Sequence, residues 1–193
     1  MQLIAALPYP GTQATTDDDA SLASAAFLDS AAFGMLYQRY RDRVYRYLLS
    51  RSYNTEDASD LTQQVFLRAL DSLSAFQPRR GAFAAWLFTI ARNAAIDLQR
   101  HRRFTAPDEP SLAALFSSLE EGPEAHALHR EDLDRLRALL TFLEPQKREI
   151  LALRFAGCLP IADIAVEIGK SRAATSKQLS RTIQALQEVY DAR

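Results

Sequence analysis

The side chains best suited to chemistry along this 193-residue chain are cations set among short polar groups. One set is Arg172, Thr175, Ser176, Lys177 and Arg181, with Ala173 and Ser180 beside it. A second is the basic turn of Gln77, Arg79 and Arg80, with Arg100, Arg102 and Arg103 later in the same basic block. Cations neutralise phosphates, while short polar and amide groups read or hold bases, so both sets point to nucleic acid rather than to a small substrate. Bond-making chemistry has little to work with. There is no Gly-rich phosphate loop and no Cys/His cluster, so an enzyme is not expected, and neither is a cofactor. His126, His129 and Asp132 fall at i, i+3 and i+6, where three metal ligands could share a helix side. Such spacing on an exposed helix is usually accidental, and no metal site is expected. The lone Cys158 excludes an intrachain disulfide and suits a reducing compartment; core packing is the expected role, oxidation sensing the rarer one.

Segregated charge lies behind the net value of -1. Residues 1–33 carry -4, residues 34–103 carry +6, residues 104–134 carry -7 and residues 135–193 carry +4. Two basic blocks suggest two nucleic-acid footprints, although helical proteins often carry uneven surface charge. No apolar run is long enough to span a membrane. The opening MQLIAALPYPG has no Lys or Arg before its apolar stretch, so it reads as a cytoplasmic tail rather than a secretory signal.

The elements that must position these groups are helices. Phe33, Leu36, Tyr37, Tyr40, Val44, Tyr47 and Leu48 keep the i, i+3, i+4 rhythm of one buried face. Asn54 offers an N-cap to a second helix that buries Leu61, Val65, Phe66, Ala69 and Leu70 and ends near Ser74. Pro78 and Gly81 break the chain into a basic turn. A third helix is expected over 82–103, with Phe83, Trp86, Leu87, Ile90, Ala94 and Leu98 inward. Beyond a Pro-containing acidic connector, helices are expected over 128–142, 146–156, 160–168 and from a Ser171 cap to about Tyr190. Ile161 to Leu179 has helix-turn-helix spacing: Ala165 at the close crossing and Gly169 in the turn, where a positive φ is needed. A plain helical hairpin would share part of that pattern. The expected class is all-α: two small helical domains joined by an acidic linker, with an acidic, disordered tail over 1–30, a three- or four-helix bundle over 31–104, the linker over 105–127 and the helix-turn-helix domain over 128–193.

Four stretches carry a resemblance: FGMLYQRYRDRVYRYL, TEDASDLTQQVFLRAL, WLFTIARNAAIDLQRHRR and LEPQKREILALRF. In this order, over residues 31–190, they resemble the sigma-70 family, in particular the two-domain extracytoplasmic-function type of bacterial RNA polymerase sigma factor. The resemblance implies a factor that binds core RNA polymerase and directs promoter recognition and opening for a signal-responsive set of genes. By it, Asp57, Asp60, Leu61, Gln63, Gln64 and Phe66 match the segment that grips the β′ clamp helices, and the C-terminal domain would meet the β flap. Phe76, Gln77, Arg79, Arg80, Arg92, Asn93, Arg100 and Arg103 match the region that opens the -10 element and captures unstacked bases. Phe76 is the better base contact, since Trp86 sits mid-way along an apolar face. Arg148, Arg172, Thr175, Ser176, Lys177 and Arg181 match the -35 reader, Arg148 at a phosphate-contact position. The connector resembles the linker that threads the RNA exit path, and its charge would mimic nucleic acid there. An anti-sigma protein wrapping both domains is a further implied partner.

The chain departs from the family pattern in places. Asp57-Ala58-Ser59-Asp60 stands where Asp-Ala-Glu-Asp is common, and Ala173-Ala174-Thr175-Ser176-Lys177-Gln178 replaces Gly-Thr-Val-Lys-Ser-Arg. Cys158 stands where glycine is usual. Phosphorylation of Ser59 would restore the missing charge and could switch on polymerase binding; equal binding by Ser59→Glu and Ser59→Ala would exclude it. The rival reading is a stand-alone helix-turn-helix regulator, against which stands an N-terminal domain offering no ligand pocket.

Overall fold

A computed structural model describes residues 16–51, 54–77, 82–103, 139–140 and 142–191. Among them there are seven α-helices and no strand, and no helix is long and apolar enough to cross a membrane.

The N-terminal half is a bundle of four helices. α1 (Thr16–Ala25) lies along α2 (Ser30–Leu49), which packs on α3 (Thr55–Asp71) and α4 (Phe83–Arg103). Local chemistry starts these helices. Asp29, in extended backbone, accepts the Ala31 N–H at 2.8 Å and caps α2. Asn54 accepts the Asp57 N–H at 2.7 Å and caps α3, whose first turn holds Glu56 and Asp57 where the helix dipole favours acid. The periodic face of α2 buries Leu36, Tyr40, Val44, Tyr47 and Leu48, and α3 meets it with Val65, Phe66 and Ala69. Each fully buried large side chain contributes about 1.5–3 kcal/mol. The α3 helix stops at Asp71, and a 3-10 turn over Leu73–Ala75 leads into the basic turn. Leu70, expected inside, is 46% exposed: the rows of Val65, Phe66 and Ala69 fill the contact, and Leu70 falls past its edge.

The acidic-tail expectation for residues 1–30 is corrected over Thr16–Ala25. Asp19 is buried, and accepts from both the Arg39 guanidinium and the Tyr40 hydroxyl. Asp18 takes the other end of Arg39 at 2.8 Å. Asp18 and Asp19 are therefore partners for α2, and Ala23 seals the contact in the core. Burial, then the Asp19 hydrogen bond, push the Tyr40 phenol above its usual range, so it stays a donor.

In the C-terminal half, α5 (Pro145–Leu151) continues as a π-turn over Ala152–Ala156. Pro145 opens this helix at its first turn, where a missing N–H costs nothing. Then α6 (Ile161–Glu167) and α7 (Arg172–Asp191) form the helix-turn-helix. Ala165 is buried at their crossing, and Gly169 has φ +69°, both as the spacing predicts. The two halves do not stand apart. Their buried side chains form one continuous cluster, with Phe88 of α4 so close to Gly157 that a Cβ there would lie 2.8 Å from the ring. Next to it Cys158 holds φ +51°, a left-handed conformation that suits glycine.

Two outcomes follow. Cys158→Gly should raise stability by about 0.5–1 kcal/mol in urea denaturation, the relief of φ exceeding the entropy glycine adds to the unfolded chain; an equal loss would mean the thiol packs better than it strains. Asp19→Ala should cost about 1–3 kcal/mol by stranding the buried Tyr40 hydroxyl. Adding Tyr40→Phe to it should then cost nothing more, whereas additive losses would place the two side chains apart.

Candidate nucleic-acid interface

Three surfaces expected from sequence can now be located, beginning with α7. Ser171 caps this helix, its hydroxyl accepting the Ala174 N–H at 3.2 Å. Arg172, Ala173, Ser176, Lys177, Ser180 and Arg181 are all exposed. Their numbers repeat at i, i+1, i+4, i+5, i+8 and i+9, a single helix face of short groups and three cations. Thr175 does not belong to it. It is fully buried, and its hydroxyl donates to the Ser171 carbonyl at 3.0 Å, so the expected DNA contact is corrected to a tie within the turn. Lys170 braces the motif, donating to Gln146 at 2.7 Å and Gln178 at 2.8 Å. Gln178 is thus committed to a brace within the motif. Arg148, on α5, is half-buried, and its Nε is enclosed without a hydrogen-bond partner.

The surface around α4 differs more from expectation. Phe76 is 9% exposed, edge-on to Phe83 with centroids 5.5 Å apart and 5.4 Å from Trp86. It anchors the start of α4 in the core, so it is corrected as a base platform; Trp86, half-buried beside it, is the more accessible ring. Gln77, Asn93 and Arg100 are exposed. Arg79, Arg80 and the side chains of Arg102 and Arg103 lie outside the described residues. Arg92 is half-buried and turned toward the other half of the protein: its Nη1 is 3.4 Å from Glu167 and its Nε 3.8 Å from Glu149.

On α3, Asp60, Gln63 and Gln64 are exposed, and Asp57 is half-buried. Leu61 and Phe66 are not surface groups: both are buried, Phe66 edge-on to Tyr37 at 4.7 Å and to Phe33 at 6.5 Å. The assignment of these two is corrected from contact to support. Their place on the surface is taken by Leu67, 62% exposed, which sequence reasoning missed. Its signal was present, since Asp60, Gln63, Gln64 and Leu67 repeat at i, i+3, i+4 and i+7. Ser59 is exposed beside them. This stripe joins carboxylate and amide acceptors to an apolar side chain, a mix that buries area and pairs with guanidinium groups on a partner helix.

His126, His129 and Asp132 lie outside the described residues, among which no group of three His, Cys, Asp or Glu could hold a metal.

Thermal denaturation separates the two kinds of residue on α7. Thr175→Ala should lower stability by about 1–2 kcal/mol, through a lost buried methyl and hydroxyl. Ser176→Ala and Lys177→Ala should stay within about 0.5 kcal/mol of the parent. The reverse ranking would put Thr175 on the outer face.

Comparison with known proteins gives this arrangement its kin. Sigma-70 region 2 matches residues 36–105, and sigma-70 region 4 matches residues 133–186. The extracytoplasmic-function sigma factor BldN of Streptomyces coelicolor is 34% identical over 167 residues, 86% of this chain, which spans 63% of that longer protein. The sigma factor CnrH of Cupriavidus metallidurans is 31% identical over 177 residues, covering 88% of this chain and 92% of CnrH. A solved structure of CnrH in complex with the cytosolic domain of CnrY superposes with a TM-score of 0.65 at 26% identity, over 91% of this chain and 97% of that one. With both regions present in order and CnrH matched over nearly its whole length, the chain belongs to the sigma-70 family, as a sigma factor of the extracytoplasmic-function type.

Proposed function

We propose that this protein is an alternative sigma factor: it binds bacterial core RNA polymerase in the cytoplasm and directs it to the promoters of a signal-responsive set of genes. The observation that carries the reading is the pairing, in one chain, of an exposed acid-amide-leucine stripe on α3 with a small, cationic, outward face on the second helix of a helix-turn-helix. In this reading Asp60, Gln63, Gln64 and Leu67 meet the β′ clamp helices, with Asp57 at the edge. The C-terminal domain rests on the β flap and presents Arg172, Ser176, Lys177 and Arg181 to the -35 element, with Arg148 toward a phosphate. Gln77, Asn93, Arg100 and Trp86 remain accessible for the -10 strand, with Arg79, Arg80 and Arg103 as further cations. The reaction is the polymerase's own, and the factor supplies recognition and strand opening without a covalent step. CnrH is held by CnrY in its solved complex, and by analogy an anti-sigma protein is assigned to this chain as well.

Run-off transcription on fragmented genomic DNA, with core polymerase alone and with the protein added, tests the proposal. New discrete transcripts sharing upstream hexamers are expected. Leu67→Asp with Gln64→Ala should weaken co-elution with core by about tenfold while leaving helix content unchanged, the loss usual for a central contact residue. Duplex-DNA binding without polymerase, together with no new transcripts, would instead make the protein a stand-alone regulator.

A further inference from the structure

Gly34 lies within α2, in a helix interior where glycine is the costliest residue after proline. Such a glycine is usually kept for a positive φ, or for a neighbour that leaves no room for a Cβ. Gly34 has neither reason. Among the described residues the glycine with positive φ is Gly169. A Cβ built on Gly34 would meet nothing within 4 Å, whereas one on Gly157 would lie 2.8 Å from Phe88. The packing of the chain on itself therefore does not call for a glycine here, and the bare backbone of α2 faces open space.

The borders of this gap are apolar. Phe33 and Tyr37, half-buried on either side of Gly34, lean edge-on to Phe66 of α3 at 6.5 and 4.7 Å, so this side of α2 borders α3. On α3, Gln63 and Leu70 stand one turn to either side of Phe66 and Leu67 stands next to it; all three are exposed. Two aromatic rings and two leucines thus frame a strip of helix that carries no side chain. Apolar groups gathered on one surface in this way mark a contact, where scattered ones would not. The free charges around the saddle are acidic. Asp60 and Asp71 are exposed, whereas Arg68 turns toward Asp97 of α4 at 3.9 Å and Arg41 pairs with Asp42 at 2.9 Å.

We infer that Gly34 is the point where a helix of the polymerase β′ clamp crosses α2, its backbone close to that of α2 and its apolar side chains seated among Phe33, Tyr37, Leu67 and Leu70. The inference rests on the sigma-factor reading and deepens it. Gln63 and Leu67 already belong to the stripe that meets the clamp in that reading, and the saddle continues the stripe from α3 onto α2. Helix axes pack about 8–10 Å apart according to the side chains between them, and a glycine at the crossing permits the near end of that range. Cations on the crossing helix face Asp60 at one end of the saddle and Asp71 at the other. Glycine destabilises the free helix and favours the complex, so stability and binding oppose one another at this position.

Thermal denaturation of the full chain, with fluorescence-anisotropy titration against core polymerase, tests it. Gly34→Ala should melt about 2–5 °C above the parent, the gain expected when alanine replaces glycine inside a helix. The same variant should bind core polymerase about threefold more weakly, and Gly34→Gln, whose side chain projects across the saddle, about tenfold more weakly. Gly34→Gln should also melt no lower than the parent. Leu70→Asp should weaken binding about tenfold with its helix content kept. A Gly34→Gln chain that binds core polymerase as the parent does overturns the inference. So does one that melts below the parent, since the glycine would then serve the fold itself. If sedimentation equilibrium shows a parent dimer that Gly34→Gln splits, the saddle belongs to a second copy and the clamp assignment is overturned. Lost binding in Leu67→Asp with Gln64→Ala, beside unchanged binding in Gly34→Gln, removes the crossing and leaves the sigma reading in place. A parent that does not bind core polymerase removes that reading, and the crossing falls with it.

Discussion

A carboxylate enclosed by protein is the constraint around which much of this structure is arranged. Glu149 sits between α2, α4 and α5 with Tyr47, Arg51 and Arg92 around it. Removing a charge from water costs several kcal/mol unless its partners are close and well aimed. Each partner in turn needs its own support. Tyr47 is fully buried, and its ring meets Phe88 edge-on at 5.5 Å. Burial, then the Glu149 charge, push its phenol well above the usual range, which keeps the proton on the donor. Phe88 in turn requires a residue with no Cβ opposite it, and Gly157 supplies that. The π-turn before it closes with the Gly157 N–H donating to the Ala152 carbonyl at 3.0 Å. This wider turn ends α5 with the Gly157 carbonyl facing Arg43. Backbone irregularity, left-handed Cys158 and the buried acid thus belong to one contact.

The same device appears at the far end of α2. Asp19 is buried against Tyr40, as Glu149 is against Tyr47, and each acid also holds an arginine of α2 or its end. The two tyrosines are seven residues apart, two turns along one face. In both cases an acid from outside the central helices neutralises cations on α2. The segregated charge of the chain has a structural use in the first case, where acids of the N-terminal segment are drawn onto the basic bundle; Glu149 is an isolated acid of a half that is itself basic.

Most of the architecture was legible as pattern. Asn54, Ser171, Ala165 and Gly169 do what their residue types predict, because caps and turns depend on a few neighbouring atoms. The apolar stripe of α2 emerges intact for the same reason that its period is local. What could not be read were contacts whose members lie far apart in the chain, such as Arg43 with Gly157, 114 residues away. Nothing in a local window distinguishes Arg92, turned inward, from Arg100, turned out. A second class of error came from assigning whole motif segments to a surface. A helix presents only part of its circumference, so Leu61, Phe66 and Thr175 carry the motif by supporting it, while Leu67 beside the first two faces out. Asp18 and Asp19 fall in what reads as an acidic, disordered tail; only the Tyr40 hydroxyl and Arg39, some twenty residues on, reveal the buried face of α1.

The balance of groups on α7 bears on how such a protein can be selective. Its outer face has three cations, Arg172, Lys177 and Arg181, among side chains no longer than serine. Gln178 is engaged with Lys170. Each phosphate contact contributes about one unit to the salt dependence of affinity, so three cations alone would hold duplex DNA weakly and with a shallow salt dependence. A weak reader is useful when it is tethered to a second one. Linking two modest sites turns the second encounter into an intramolecular event, and overall affinity then depends on both being engaged together. If α7 is the reader proposed above, its weakness is a source of discrimination, since a site matched by one half alone would not be retained.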